Sequence, residues 1–221
     1  MTFKGLVAFD LDGTLVHIWS AWSWIHKLLG TLEAAKPYAE LYHAGKIDYR
    51  KWAELDVRLW HGVNFHQIEE TIKKELVFVP GAHKLIETIR SWGVKTAIIS
   101  SGLACFADRA KEILGIDVSK SNRLLTDTEG RICGVDVQVA YDNKHQVLIN
   151  ISKGMGIPLS RCAAIGDSRN DIPMFRVAGT SIAFNAKDEG VLASVSKAVN
   201  SENALDLLPP LRDFFRIKSK R

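Results

Sequence analysis

Two aspartates separated by one residue follow the first apolar run of the chain. The segment Asp10-Leu11-Asp12-Gly13-Thr14 comes directly after Leu6-Val7-Ala8-Phe9, a run typical of a buried strand. At a strand end both carboxylates can reach a site above the sheet, where one could attack as a nucleophile while the other transfers a proton. Gly13 permits close approach to an anion and Thr14 supplies a hydroxyl. An acidic turn with a helix cap is the structural alternative.

Two further polar segments follow apolar runs later in the chain. Ser100-Ser101-Gly102 comes after Thr96-Ala97-Ile98-Ile99, and hydroxyl and backbone N–H groups at a helix start can bind phosphate. A simple helix N-cap would look the same. Gly166-Asp167-Ser168-Arg169-Asn170-Asp171 follows another apolar run. Asp167 and Asp171 offer hard oxygen ligands suited to Mg²⁺, although a capped helix start again explains the pattern.

A lysine precedes the third polar segment. Lys144 lies at the beginning of a predicted helix over 143–155, where its ammonium could neutralise a phosphate and a developing negative charge. Lys153 is a rival on the same predicted helix, but it lies near the C-terminal end. A cation there is explained more simply by the helix dipole, so we favour Lys144.

Alternating predicted strands and helices connect these polar segments. Helices are predicted at 82–92, 103–114, 143–155 and 170–178, strands at 6–9, 94–100, 162–166 and 180–184, and a hairpin at 123–139. This alternation predicts an α/β fold, a Rossmann-like parallel sheet with helices on both faces. Sites in such sheets gather at the carboxyl ends of strands, so the polar segments are expected to meet.

Residues 16–76, which we call the cap, show a different pattern. Apolar residues recur there at spacings of three and four, beginning with Ile18, Trp22 and Ile25, as in helices, and the cap has no convincing strand pattern. We therefore predict a small helical domain inserted after the first strand of a discontinuous core domain, formed by residues 1–15 and 77–221.

Large side chains of the cap have two interpretations. Trp19, Trp22, His43 and Tyr49 could fill the cap's own core, because a short helical bundle needs large side chains to bury enough area. We favour this interpretation. The alternative is that they line a pocket for a bulkier or less polar phosphate ester.

Composition and charge exclude several classes of protein. The 221 residues are 47% hydrophobic and 24% charged, as in globular rather than disordered or coiled-coil proteins. No apolar run approaches the ~18 residues that span a bilayer and no secretory signal is apparent, which predicts a cytoplasmic protein without a membrane partner. The last ten residues carry a charge equal to the whole net charge of +4. Because the excess is not spread along a face, no nucleic-acid partner is expected.

The motifs together resemble those of a known superfamily. Asp10-x-Asp12-Gly-Thr, Ser100, Lys144 and Gly166-Asp167-x-x-Asn170-Asp171, in this order, are similar to the motifs of the haloacid dehalogenase (HAD) superfamily of phosphatases. The resemblance covers residues 6 to about 190, and the stretch 166–179 is especially similar to the phosphoserine phosphatase branch.

This resemblance implies a HAD-like fold and a Mg²⁺-dependent enzyme that hydrolyses phosphomonoesters of a small phosphorylated metabolite. Phosphoserine is the nearest named substrate, and a sugar phosphate or a methylthio-pentenyl phosphate is an alternative. An alternative from another class is a non-catalytic phosphate-binding module, which would be expected to have lost one of the motif residues.

The resemblance also implies roles for individual residues. Asp10 would attack phosphorus to form an aspartyl-phosphate, and Asp12 would protonate the leaving alcohol and then activate water. Mg²⁺ would be bound by the Asp10 carboxylate, the backbone carbonyl of Asp12 and Asp167, with Asp171 nearby. The groups that would bind the phosphoryl oxygens are Thr14, Ser100, Ser101, Gly102, Lys144 and Asn170.

Two residues expected for serine recognition are absent from their positions. The branch is expected to carry an acid nine positions after the nucleophile for the substrate's amino group, and Trp19 stands there. The arginine expected in the cap for the substrate carboxylate aligns without gaps to Asp56, with Arg50 and Arg58 nearby. A buried, unpaired ammonium would cost several kcal/mol, so the missing acid argues against phosphoserine unless another residue replaces it.

Overall fold

A computed structural model describes residues 3–217 and contains one seven-stranded sheet. Neighbouring strands are parallel except for the third and fourth, so the α/β fold predicted from the sequence is confirmed. The strands are β1 Gly5–Phe9, β2 Val94–Leu103, β3 Val118–Thr126, β4 Ile132–Asp136, β5 Cys162–Gly166, β6 Thr180–Phe184 and β7 Lys197–Val199, in the spatial order β4-β3-β2-β1-β5-β6-β7.

Helices cover both faces of this sheet, as predicted. They are α1 Ala21–Leu28, α2 Leu32–His43, α3 Tyr49–Arg58, α4 Phe65–Glu75, α5 Ala82–Ser91, α6 Ala104–Leu114, α7 Lys144–Gly154, α8 Ile172–Val177, α9 Glu189–Leu192 and α10 Leu208–Phe215. Strand β1 shows why its sequence is continuously apolar. Val7 and Phe9 pack into one hydrophobic cluster, Leu6 and Ala8 pack into a second, and all four are fully buried. A central parallel strand must be apolar on both sides.

Strand β2 is longer than predicted. It continues to Leu103, and its pairing with β3 shifts register between Ile99 and Leu103. The polar segment 100–102 therefore lies within the irregular end of the strand, and α6 begins only at Ala104. The sequence analysis ended the strand at 100 and began a helix at 103, because the polarity of this segment resembles a helix cap.

The predicted hairpin at 123–139 is confirmed as β3 and β4, which pair antiparallel. Its turn is held by Asp127, whose carboxylate accepts backbone hydrogen bonds of 2.9 Å from Glu129 and from Arg131. Strand β3 starts earlier than predicted, at Val118, and its first half pairs with β2. The hairpin is therefore an extension of the main sheet.

The cap contains the helices α1 to α4, in agreement with the helical spacing of its apolar residues. The spacing runs on past the end of α1, but the chain turns at Gly30, whose φ is +68°. Backbone hydrogen bonds of 2.9 Å join the cap at Gly62 and Val63 to Ile132 of the hairpin. The division into two domains at residues 15 and 77 stays a prediction.

Within residues 3–217, no helix is both long and apolar enough to cross a membrane. Of the basic C-terminal tail singled out in the sequence, residues 218–221 lie outside the described part of the chain.

Candidate active site

Three strand ends and the start of α7 bring the predicted site residues together. Asp10 follows β1, and its backbone N–H donates to Ile165 of β5 over 2.8 Å. Lys144 is the first residue of α7 and is fully buried. Its Nζ lies 2.9 Å from Oδ1 of Asp10 and 2.7 Å from Oδ1 of Asp171. The lysine is thus enclosed by carboxylates, whereas the rival Lys153 is exposed toward the other end of the helix.

Three carboxylates form a compact cluster beside Lys144. Asp10, Asp167 and Asp171 each offer an oxygen within 4.8 Å of the others'. Oxygen ligands at this spacing suit a hard divalent cation such as Mg²⁺. Asp171 also holds its own loop, because its Oδ2 accepts from the backbone N–H groups of Asp167 and Ser168, both over 3.1 Å. Asp171 therefore takes part both in the cap of the short helical turn at 169–171 and in the carboxylate cluster.

Gly13 and Thr14 bring the segment 10–14 against the segment 166–171. The hydroxyl of Thr14 donates to Oδ1 of Asp167 over 3.1 Å. Gly13 has φ +76°, and a Cβ there would lie 2.8 Å from Oδ2 of Asp167. Only glycine adopts this backbone conformation readily and leaves that space empty.

Asp12 has one occupied and one free carboxylate oxygen. Its Oδ2 accepts a 2.6 Å hydrogen bond from the backbone N–H of Ala21, the first residue of α1. Its Oδ1 is buried and has no hydrogen-bond partner among residues 3–217. The N-terminus of α1 therefore orients Asp12 through one of its two carboxylate oxygens.

The segment 100–102 is joined to the segment 166–171 through Asn170. Its Nδ2 donates to Oγ of Ser101 over 3.0 Å, and its Oδ1 accepts from Nζ of Lys144 over 3.1 Å. Oγ of Ser100 accepts from the N–H of Gly102 over 2.9 Å. A Cβ on Gly102 would lie 3.1 Å from Oδ2 of Asp12, so the segment 100–102 also lies beside the segment 10–14. All the predicted site residues therefore lie in one connected group.

Burial shapes the electrostatics of the group. It raises the pKa of Asp10 well above its ordinary value, with a contribution from the charge of Asp171 and opposition from Lys144. It also raises the pKa of Asp12 to about 6 and, together with Asp171, that of Asp167 to about 7. Burial alone would lower the pKa of Lys144, but the carboxylates around it outweigh this and raise it. So many acids around one lysine favour binding of a further cation.

Side chains from the cap and from β3 support the segment 100–102. The carbonyl oxygen of Ser101 accepts hydrogen bonds from Nε1 of Trp22 at 3.0 Å, from the hydroxyl of Tyr49 and from Nδ2 of Asn122 at 2.8 Å. Asn122 is fully buried and also binds the carbonyl and the N–H of Val139, each over 2.9 Å. No sequence pattern marks Asn122, because it is a lone amide that precedes the predicted hairpin at 123–139.

A cavity of about 300 Å³, which we call the cap cavity, is lined by cap residues and by Tyr141 of the core. All four of the large cap residues line it. Core filling is therefore the wrong interpretation for Trp19, which is 83% exposed, and for the exposed His43. Trp22 does both, since it also stacks on the buried Trp60 with ring centroids 5.6 Å apart. The sequence analysis missed further lining residues, namely His26, Trp52 and Tyr141.

Comparison with known proteins supports the sequence resemblance. The family model described as haloacid dehalogenase-like hydrolase matches residues 5–179. The phosphoserine phosphatase of Idiomarina loihiensis is 33% identical over 214 residues, which are 95% of this chain and 94% of that protein. The phosphoserine phosphatase of Polaromonas sp. is 32% identical over 210 residues, 92% of this chain and 87% of that protein.

Solved structures give the same result. A structure described as a phospho-aspartyl intermediate analogue of phosphoserine phosphatase superposes with a TM-score of 0.81 at 28% sequence identity. The match covers 95% of this chain and 100% of that one. The similarity thus includes both parts of the core and the cap between them.

Proposed function

Because the chain belongs to the haloacid dehalogenase-like hydrolase family and is a phosphomonoester hydrolase, we propose that it acts through an aspartyl-phosphate on Asp10. The observation that carries this proposal is the contact of Asp10 with Lys144 over 2.9 Å, within a cluster that also holds Asp167 and Asp171. A carboxylate cannot approach an anionic phosphate unless positive charge lies between them or beside them. Lys144 supplies part of that charge.

The carboxylate cluster fits a Mg²⁺ ion. Its donors are all oxygens, they are close together, and Lys144 balances only part of their negative charge. Asp10, Asp167 and the backbone carbonyl of Asp12 would hold the ion, with Asp171 beside them. When bound, the ion supplies positive charge that lowers the repulsion between the nucleophile and the phosphate.

The remaining groups position the phosphate and move protons. Ser100, Ser101, Gly102, Thr14 and Asn170 offer hydroxyl, amide and backbone N–H groups to the phosphoryl oxygens. All three hydroxyls, the Asn170 amide and the Gly102 N–H are bound to protein groups in this structure, so the ester would exchange these contacts for its own. Such positioning is the main work of a phosphoryl-transfer site.

Asp12 would act as the general acid and then as the general base. Burial raises its pKa to about 6, so near neutral pH it exchanges a proton readily. Its free Oδ1 first gives a proton to the leaving alcohol. The same oxygen then takes a proton from the water that attacks the aspartyl-phosphate, which releases phosphate and regenerates Asp10.

The substrate is proposed to be a small phosphorylated metabolite, and the relatives point to phosphoserine as its nearest named form. The aromatic cap cavity and the presence of Trp19 and Asp56 at the two recognition positions favour a different small ester as a second candidate. The cavity observation therefore bears on the substrate and leaves the chemistry at Asp10 unchanged.

The test uses p-nitrophenyl phosphate with Mg²⁺. The wild-type protein should release phosphate and stop when EDTA is added. Asp10→Asn should lower kcat by about 10³-fold or more, because an amide cannot form the acyl phosphate. The circular dichroism spectrum should be retained. Asp213→Asn, at an exposed residue of α10, is the matched control and should keep the wild-type rate.

Two results would contradict the proposal. Activity that survives chelation would exclude the metal, and a wild-type rate in Asp10→Asn would exclude the nucleophile. Inactivity of the wild type toward a broad panel of phosphorylated metabolites would favour a non-catalytic phosphate-binding module.

A further inference from the structure

A buried carboxylate stands in the wall of the cap cavity. Asp56, near the end of α3, lines the cavity and is only 3% exposed. Its Oδ1 has no hydrogen-bond partner anywhere in residues 3–217. A buried carboxylate oxygen left without a donor costs free energy, so this side chain is suited to receive a donor from a ligand.

The neighbour of Asp56 contacts only one of its two carboxylate oxygens. Nε2 of His26 lies 3.5 Å from Oδ2 of Asp56, beyond the length of a strong hydrogen bond. The other ring nitrogen, Nδ1, lies 2.8 Å from the hydroxyl of Thr31. Nε1 of Trp60 lies 3.2 Å from both Nδ1 and that hydroxyl, so these contacts hold the imidazole ring in place. Oδ1 of Asp56, which has no hydrogen-bond partner among the described residues, is left for a ligand.

The walls of the cavity favour a cation over an anion. Trp22, Tyr49, Trp52 and Tyr141 line it, and the faces of such rings attract cations. Among the described residues that line the cavity there is no arginine, and its one lysine, Lys36, is paired with Glu33 over 2.6 Å. A ligand carboxylate would therefore meet no unpaired positive charge.

The cavity shares residues with the surroundings of the candidate active site. Trp22 and Tyr49 line it and also donate to the carbonyl of Ser101. Ser20 lines it too, and the next residue, Ala21, donates its N–H to Asp12. These residues connect the cavity to the region around Asp12, where the leaving alcohol would be protonated.

We propose that the cap cavity binds the leaving alcohol of phosphomonoesters that carry a protonated amine and no carboxylate, with the amine at Asp56. This inference rests on the proposed phosphomonoesterase function and specifies its substrate class. Asp56 would supply the acid that is missing at position 19, so a substrate amine would not be left unpaired. Asp56 also stands where the branch is expected to carry the arginine that binds the substrate carboxylate, which argues further against phosphoserine.

The experiment compares matched pairs of esters. Aminoalkyl phosphates with two to five carbons are each measured against the alkyl phosphate in which a terminal methyl replaces the ammonium. At the best chain length, the wild-type kcat/KM should favour the amine by about tenfold or more, as expected for a charge-assisted hydrogen bond. Phosphoserine should be no better than phosphoethanolamine.

A variant then locates the selectivity. Asp56→Asn keeps the shape and removes the charge, so it should lower the amine-to-alkyl ratio by about tenfold. Glu54→Gln, on the same helix but outside the cavity wall, should keep the wild-type ratio. If Asp56→Asn fails to fold, the wild-type ratios decide alone.

The outcomes separate this inference from the proposed function. A ratio near one at every length, or a clear preference for phosphoserine over phosphoethanolamine, overturns the inference while p-nitrophenyl phosphate activity upholds the function. If the wild type hydrolyses no ester, the function fails, and calorimetry with non-hydrolysable 4-aminobutylphosphonate and pentylphosphonate still decides. Equal affinities overturn the inference, and tighter binding of the amine supports it.

Discussion

At the scale of single residues, the candidate site depends on close approaches between motifs that are far apart in the sequence. Gly13 and Asp167 are one example, because a side chain on Gly13 would overlap the carboxylate of Asp167. A shift of about 1 Å in a reacting group can cost on the order of a hundredfold in rate. The absence of a side chain at position 13 is therefore expected to matter for activity as well as for the turn.

We expect Gly13→Ala to lower kcat/KM for p-nitrophenyl phosphate by about a hundredfold, because the new Cβ displaces Asp167. Gly93→Ala is the matched control. Gly93 has nearly the same φ, +75°, but a Cβ there would meet nothing within 4 Å. Both variants should lose about 1 kcal/mol of stability from backbone strain, so equal activities in the two would contradict the role given to the close approach.

At the scale of secondary-structure elements, hydrogen bonds and an ion pair join the N-terminal ends of β2 and β3. Asp117 precedes β3, and its Oδ2 accepts from both the N–H and the hydroxyl of Thr96 in β2, each over 3.0 Å. Its other oxygen pairs with Lys95. Burial acts to raise the pKa of Asp117, but these donors outweigh it and hold the pKa below its ordinary value. The ionised form therefore stabilises the fold.

Asp117→Asn should lower the free energy of unfolding at pH 7 by about 1 kcal/mol, measured by urea denaturation. A carboxyl whose folded pKa is depressed stabilises the protein above its unfolded pKa of about 3.9 and loses this contribution as pH falls through the folded value. The difference between the two proteins should accordingly shrink below about pH 4. A difference that grows in acid would refute this account. Asp108→Asn, which breaks the more exposed pair with Arg123, should have a smaller effect.

At the scale of the whole molecule, the cap and the core share one hydrophobic cluster. It contains Ile25 and Trp60 of the cap together with Phe9 and Phe106 of the core. Trp24 of the cap contacts Phe106 edge to face, with ring centroids 5.3 Å apart. A shared cluster couples the stability of the two parts, even though the sequence divides them into two domains.

We therefore expect thermal unfolding to be a single transition. Five of the six tryptophans lie between residues 19 and 60, so intrinsic fluorescence reports mainly on the cap, whereas far-ultraviolet circular dichroism reports on all helices and strands. The two midpoints should coincide within experimental error. A fluorescence midpoint clearly below the other would mean that the cap unfolds first and that the shared cluster does not couple it to the core.

The sequence by itself determined the alternation of strands and helices between β1 and β6 and the residues of the candidate site, whereas β7, α9 and α10 were not predicted. Continuous apolar runs such as Leu6–Phe9 mark buried strands locally, and the acidic and hydroxyl residues that follow them are local too. The parallel alternation then requires the strand ends to meet at one edge of the sheet. For this reason Asp10, Ser100, Lys144 and Asp167 could be named without coordinates.

Only the tertiary structure decided what surrounds the leaving group. The cap cavity is formed by Trp19 and Ser20, by side chains from three cap helices and by Tyr141 of the core. No local pattern in the sequence shows which of them face one another. Trp19 and Asp56 could be compared with expected positions, but Asp56 became a candidate for amine binding only through its burial and its unpartnered oxygen. Contacts between distant segments depend on how helices pack, and packing is a property of the folded chain.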